Sequence, residues 1–380
     1  MFTPGGGGTV DLVYKLSKAL VTKGHEVELY AGDYLWDQSF ADTLPEVKIR
    51  TFHDYSRIGG MYFTPGMAAE LDKRIREFDI VHLHCMRSYQ NILVHHYAKK
   101  YGVPYILDTH GSLPRKVVGE FIFKTPIRWL FDITFGDRIL RDACQVVAET
   151  ELGVNEYKKF GISRDMIALI PPPFDTEQFA VLPTSGLFKK RFNLESKKLI
   201  TFLGRIHQIK GFDFLVKSFS ELARNRDDVI LVIAGNDDGY KSTLDSLISS
   251  LGISDKVLYT GFLKGDEKLG LLVDSDIVAQ TSVYEQGAWA PIEAVLCGTP
   301  IIVTGHTGAG EDVKRMDAGY LVEYDNVPQM VQLITKILDN PVEAKTKAKN
   351  AAAYVRTHMS IEKRIIDYEN LYKSCIENQQ

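Results

Sequence analysis

Leu199-Ile200-Thr201-Phe202-Leu203-Gly204-Arg205-Ile206-His207-Gln208-Ile209-Lys210-Gly211 is the stretch on which the fold turns. Leu199–Leu203 is a mostly apolar run of strand length, and it runs into Gly204-Arg205. Lys210-Gly211 follows, just before a helical pattern. Two cations therefore stand at the carboxyl edge of a sheet, beside a helix start. That arrangement suits a diphosphate whose charge grows as a bond to it breaks. Two solvated surface charges would give the same spacing, and both readings stay open here.

Toward the C-terminus the rhythm repeats, with strand-like runs at Val229–Ala234, Val257–Thr260, Ile277–Gln280, Pro300–Val303 and Gly319–Val322. Beyond Val327 the pattern is almost wholly helical. Toward the N-terminus it breaks at Pro171-Pro172-Pro173, which cannot lie inside a helix or central strand. Before the break come a helix at Thr9–Lys23 and strands at Glu26–Ala31, Asp79–Leu83, Tyr105–Thr109, Gln145–Glu149 and Ile167–Ile170. Strands alternating with helices predict parallel sheets.

The expected fold class is α/β, with two doubly wound, Rossmann-like domains facing each other across a cleft. Residues 1–172 form the first, 173–196 an irregular linker and 197–357 the second. Residues 358–380 form a helix that returns to the first domain, with Ile365, Tyr368, Leu371 and Tyr372 on one face. A chain of 380 residues suits two cores, since domains hold roughly 100–200 residues each. In such sheets ligands bind beyond the carboxyl ends of the strands. Only Met1-Phe2-Thr3 precede Pro4, where a first strand belongs. That strand is either a stub or lost from the start of the chain, and the second reading is preferred.

Composition narrows the function. A net charge of −4 argues against a general nucleic-acid binder. No apolar run reaches the ~18 residues of a membrane span. Cys85, Cys144, Cys297 and Cys375 include no Cys-x-x-Cys pair, so neither a disulfide framework nor a zinc knuckle is expected. The predicted location is cytoplasmic, at most on the inner face of the cell membrane.

Further motifs carry candidate chemistry. Gly5-Gly6-Gly7-Gly8 precedes the first helix, as a phosphate-binding turn or a flexible tail. It is a poor dinucleotide fingerprint, because Asp11 stands where a third small residue belongs. Glu285-Gln286-Gly287-Ala288-Trp289-Ala290-Pro291-Ile292-Glu293 follows a strand and enters a helix that ends near Gly298. Its two glutamates suit sugar and ribose hydroxyls, or are ordinary surface residues.

Taken together these motifs resemble glycosyltransferase family 4, the retaining group of GT-B fold. The resemblance rests on Gly5–Gly8 with Thr9–Tyr30, Asp79-Ile80-Val81-His82-Leu83-His84, Thr109-His110-Gly111, Gly204-Arg205 with Lys210-Gly211, and Glu285 and Glu293 with seven residues between. It implies a sugar transfer from a UDP-, GDP- or ADP-sugar, with no cofactor or metal required. Arg205 and Lys210 would bind the donor diphosphate, beside Gly204. Glu293 would take the ribose and Glu285 would lie beside the transferred sugar. Gly287, Ala288 and Trp289 would offer amides, and Gly235 would pack near the base. His110 would face the donor sugar, and Gly7 and Gly8 the phosphates and acceptor. Catalysis is thus expected of His110, Arg205, Lys210 and Glu285. The chain departs from the family where Gln286-Gly287-Ala288 replaces Gly-Phe-Gly, and where Pro172-Pro173 replaces Asn-Gly.

His82 and His84 alternate on a strand, as structural groups or a weak metal pair. Asp237-Asp238 reads as a polar turn or an acidic metal motif. Pro114–Arg141 interleaves Arg115, Lys116, Lys124, Arg128, Arg138 and Arg141 with Phe121, Phe123, Trp129, Leu130 and Phe131. It reads as a membrane-interface segment, contacting a lipid-linked or glycan acceptor through Arg115, Lys116, Lys124, Arg128 and Trp129, or as a helical pair packed on its own domain. Two other functions remain in play: a sugar-nucleotide epimerase, and a binder without turnover.

Overall fold

The computed structural model describes residues 2, 3, 6–55, 57, 58, 61–115, 124–287 and 289–378, with the side chains at 57, 58 and 124 left aside. It divides into two compact units. Unit 1 is Met1–Phe174 with Met359–Gln380, and unit 2 is Asp175–His358.

Unit 1 has β1 (Glu28–Gly32), β2 (Lys48–Phe52), β3 (Arg57–Ile58), β4 (Met61–Tyr62), β5 (Val81–His84), β6 (Tyr105–Asp108), β7 (Gln145–Ala148) and β8 (Ile167–Leu169). β5-β6-β7-β8 form a four-stranded parallel sheet, β1-β2 a parallel pair and β3-β4 an antiparallel pair. Alternation along the four-stranded sheet sends its side chains to two cores. Leu107, Val146 and Ala148 pack with Leu71, Val94 and Tyr157. Ile106 and Val147 pack with Leu16, Ile365, Tyr368 and Leu371. Leu16 belongs to the helix Gly8–Thr22, and the others to the C-terminal helix Ile361–Glu377. That helix buries Ile361, Ile365, Tyr368, Leu371 and Cys375, one face at helical spacing. Its start is pinned by paired backbone bonds, Phe174 N–H to Met359 O at 2.8 Å and Ile361 N–H to Phe174 O at 2.9 Å.

The cysteine reading is corrected here. Cys144, just before β7, and Cys375, on the C-terminal helix, form a disulfide with Cα atoms 5.7 Å apart. A separation of 231 positions leaves no local spacing by which to recognise it.

Unit 2 has β9 (Lys198–Leu203), β10 (Val229–Ala234), β11 (Val257–Gly261), β12 (Ile277–Gln280), β13 (Ile301–Thr304) and β14 (Tyr320–Val322). They form one parallel sheet in the order β11-β10-β9-β12-β13-β14. Every residue of β10, β12 and β13 is buried, as a sheet covered on both faces requires. The order runs outward from the central neighbours β9 and β12, so the topological switch point lies between them.

The stretch read as an irregular linker is partly ordered. A 3-10 turn (Thr176–Phe179) and a helix (Leu187–Arg191) lie in it. Phe188 is buried with Leu199, Val232 and Leu271, and Asp274 accepts from the amides of Gly186 and Lys189. One short helix with a single apolar anchor shows no periodicity in sequence.

Candidate active site

The loops that leave β9 and β12 meet at the switch point of unit 2. After β9 the chain turns at Gly204, whose N–H bonds Ala234 O at 2.9 Å. Gly235 approaches so closely that any Cβ on it would collide with the Gly204 carbonyl. A 3-10 turn, Gln208–Lys210, then ends at Gly211, with φ 67°, before the helix Phe212–Ala223. A side chain at Gly211 would strike the Thr281 carbonyl, so the β9 and β12 loops are locked side by side.

Lys210 and Glu285 form an ion pair, with side chains 13% and 22% exposed. The same Glu285 oxygen accepts from Gln280 Nε2 and Ser282 Oγ, both at 3.1 Å. The Glu285 carbonyl accepts from Gly308 N–H at 2.8 Å, at the start of the helix Gly308–Met316. Glu285 is thus held by its backbone and by one carboxylate oxygen, and it faces a lysine that a diphosphate can engage. Arg205 reaches outward from the same edge and pairs with Asp238. Asp237 caps the following turn, its Oδ1 accepting from the amides of Gly239, Tyr240 and Lys241 at 3.0, 3.1 and 3.0 Å. These contacts account for the Asp237-Asp238 pair as a turn.

Glu293 lies on the helix Trp289–Leu296 and pairs with Lys268 at 2.8 Å. Trp289 opens that helix and Gly287 is buried just before it, while Ala288 lies outside the described residues. Sequence reasoning missed Gln280, Ser282 and Lys268, and it placed Asp238 in a turn without pairing it to Arg205. Gln280 ends a predicted strand and so stood at the right edge. Ser282 and Lys268 carry no signal apart from the fold.

In unit 1, Gly7 (φ 84°) caps the first helix and Gly8 begins it, while Gly5 lies outside the described residues. His110 follows β6 in a left-handed conformation, φ 45°. Its N–H bonds Asp108 Oδ1 at 3.1 Å, which holds that unusual turn. Its Nδ1 lies 3.2 Å from both Asp108 Oδ1 and Glu149 Oε1, and its Nε2 lies 2.9 Å from His84 Nδ1. Ionised carboxylates only accept, so Nδ1 carries a hydrogen. The His110 and His84 rings are nearly parallel, at 10°. His82 Nδ1 bonds Tyr372 of the C-terminal helix at 3.0 Å.

Burial dominates the electrostatics of this cluster. It pulls His82 down to about 3 and His84 well below its usual value, so both stay neutral. It pushes Asp108 up to about 7 against the pull of His110. Burial also opposes a charge on His110, but the Asp108 and Glu149 carboxylates together outweigh it, and His110 stands above the ordinary histidine value. One ligand-type atom each from Asp108, His110 and Glu149 falls within 4.8 Å of the others. With Nδ1 protonated and Nε2 turned to His84, the ring presents no lone pair to a cation, so these groups read as a proton-sharing network.

The segment read as basic and aromatic divides by role. Arg115 and Arg87 both hold the buried Asp132 carboxylate, at 2.7 and 2.8 Å. Arg128 donates to the Arg115 carbonyl at 3.2 Å. Arg115 and Arg128 thus make contacts within unit 1, as the reading of a segment packed on its own domain expects. Ile127, Trp129, Leu130, Ile133 and Phe135 are exposed, Trp129 by 53%. Lys116, Phe121 and Phe123 lie outside the described residues, as does the side chain of Lys124.

Residues 186–355 match the family described as Glycosyl transferases group 1, and residues 6–178 match Glycosyltransferase Family 4. A 2-deoxystreptamine glucosyltransferase of Streptomyces kanamyceticus is 26% identical over 64% of this chain and 64% of its own length. An uncharacterized glycosyltransferase of Methanocaldococcus jannaschii is 23% identical over 95% of this chain and 93% of its own. Among solved structures, Anabaena HepE in complex with UDP and glucose superposes with a TM-score of 0.79 at 17% identity, over 98% of both chains.

Proposed function

The chain belongs to the group 1, family 4 glycosyltransferases, built of the two Rossmann-like units of the GT-B fold, and we propose that it moves a hexosyl group from a nucleoside-diphosphate sugar to an acceptor with retention of configuration. The observation that carries this reading is the Lys210–Glu285 pair at the switch point of the unit 2 sheet, with Arg205 beside it. A diphosphate arriving there takes up Lys210 and Arg205. Glu285 then turns from lysine partner to sugar-hydroxyl acceptor. Fixed cations stabilise the charge that grows on the departing diphosphate, so neither a metal nor a cofactor is required.

In the same reading Glu293 receives the ribose hydroxyls, and Gly287, Ala288 and Trp289 supply amides. Gly204 lies beside the diphosphate, and Gly235 packs near the base. His110 is assigned to the donor sugar, and Gly7 and Gly8 to the phosphates and acceptor. A donor phosphate oxygen takes the acceptor proton as the new bond forms on the same face. The UDP and glucose held by Anabaena HepE are ligands of the class this reading calls for.

The acceptor is a lipid-linked or growing glycan, met at the cytoplasmic face of a membrane. The observation favouring this is the exposed stripe Ile127, Trp129, Leu130, Ile133 and Phe135. No helix among the described residues is long and apolar enough to cross a membrane.

A panel of labelled nucleotide sugars, with and without membrane lipid and with excess chelator, tests the proposal. A transferase releases free nucleoside diphosphate, an epimerase yields a new sugar nucleotide and a silent binder yields neither.

A further inference from the structure

We propose that Glu149 is a positioning residue for the transfer reaction: with Asp108 it grips the His110 ring at Nδ1 and holds it as an imidazolium at the carboxyl edge of the unit 1 sheet. The inference rests on the reading that His110 serves the donor, and it names what makes His110 fit for that task.

The geometry comes first. β6 ends in Asp108 and β7 is followed at once by Glu149, so two adjacent parallel strands deliver a carboxylate each to the same edge. The His110 and Glu149 side chains are 5% and 6% exposed. The ring is held at three points, by two carboxylates on Nδ1 and by His84 on Nε2. A backbone turn at φ 45° then fixes where it projects. Two buried carboxylates of like charge, one of them with an oxygen that finds no partner among the described residues, are costly unless a cation lies between them.

Among the described residues, the surroundings supply no other cation. β5 and the residue after it contribute His82, His84 and Cys85, β6 contributes Asp108, and Glu149 follows β7. The helix Glu151–Lys159 contributes Tyr157 and the C-terminal helix Tyr368 and Tyr372. Burial keeps His82 and His84 neutral and keeps Cys85 and the three tyrosines protonated. The compensating proton is therefore shared between His110 and Asp108, and the two carboxylates draw it toward the His110 ring. Its Nε2–H is held by His84 Nδ1 and becomes available when a substrate oxygen takes its place. Without Glu149 the pull on the ring proton weakens, Asp108 alone opposes burial, and His110 titrates lower.

The sign of the pH effect follows. A form of His110 that is active when protonated loses activity as pH rises through its raised pKa. Glu149→Gln lowers that pKa, so the alkaline limb of kcat moves to lower pH. Above neutrality kcat falls by roughly tenfold or more, and it recovers on acidification. The donor KM stays close to that of the unmutated enzyme, and Glu149→Asp restores much of the loss. His110→Asn removes this limb, and the double variant His110→Asn/Glu149→Gln is no slower than His110→Asn alone.

Ring-carbon NMR of the free protein, with the His110 signal assigned by its loss in His110→Asn, reads the charge without turnover. His110 should titrate above an ordinary histidine in the native protein and distinctly lower in Glu149→Gln. A Glu149→Gln variant with an unshifted pH profile overturns the proposal. So does a loss that is equal at every pH and additive with His110→Asn, the mark of a structural role. Should the unmutated protein turn over no nucleotide sugar while His110 titrates as described, the transferase reading fails, and the role of Glu149 in transfer falls with it.

Discussion

Lys210 and Glu285, 75 positions apart in sequence, form an ion pair between the two loops that leave β9 and β12. Among the described residues of unit 2, no other ion pair joins a cation and a carboxylate of the predicted set: Arg205 pairs with Asp238, and Glu293 with Lys268. The pair keeps both charges in place on a partly exposed edge, where a diphosphate can compete for the lysine.

Replacing Lys210 or Arg205 by alanine should therefore lower kcat by roughly 10²–10³-fold, the range for losing one fixed donor to a developing charge. Stability should change by about 1 kcal/mol or less for Arg205, whose pair is exposed, and by more for Lys210, whose pair is largely buried. Steady-state kinetics alongside thermal melts separate the two effects. Near-normal turnover in both variants contradicts the diphosphate role.

Much of the fold was legible from strand-length apolar runs. Val229–Ala234 and Ile277–Gln280 have the bounds read from sequence, because strands buried on both faces are apolar throughout. β2 (Lys48–Phe52) escaped notice, since a run of Lys, Ile, Arg, Thr and Phe at a half-exposed position carries little apolar signal. The pair β3 and β4 is too short for any pattern to emerge. In the candidate site, Lys210 stood out because it closes a loop after a strand just before Gly211, and Glu285 because it lies between a strand and the helix marked by Pro291. Glu149, Asp108 and His84 were not read as one cluster. Only the parallel register of β5, β6 and β7 places their ends together.

Acid should weaken unit 1 through Glu28. Arg74 hydrogen bonds, with help from Arg50, hold Glu28 down to about 2 against burial, from an ordinary 4.5. A depressed carboxylate stabilises the fold fully above its unfolded value. That contribution fades as pH falls from about 4.5 toward about 2. Urea midpoints measured across this window should fall for the native protein and flatten for Arg74→Ala. Parallel curves for the two proteins speak against this account.

Membrane contact should depend on the exposed stripe more than on the arginines near it. Trp129→Ala with Ile133→Ser should weaken sedimentation with anionic vesicles. Replacing Arg115 should instead cost stability, because it holds the buried Asp132. Binding should also fall as salt rises. Protein that stays in the supernatant with anionic vesicles at low salt assigns the stripe to protein packing and favours a soluble acceptor.

The central claim is that the switch point of unit 2 binds a nucleoside-diphosphate sugar and releases the diphosphate as the sugar leaves. It is tested most directly by following nucleoside diphosphate release from a panel of UDP-, GDP- and ADP-sugars, for the native protein and for Lys210→Ala. The account predicts release from at least one donor, stimulated by acceptor and reduced by roughly 10²-fold or more in the variant. Release that is equal in the two proteins, or a new sugar nucleotide in place of free diphosphate, contradicts it.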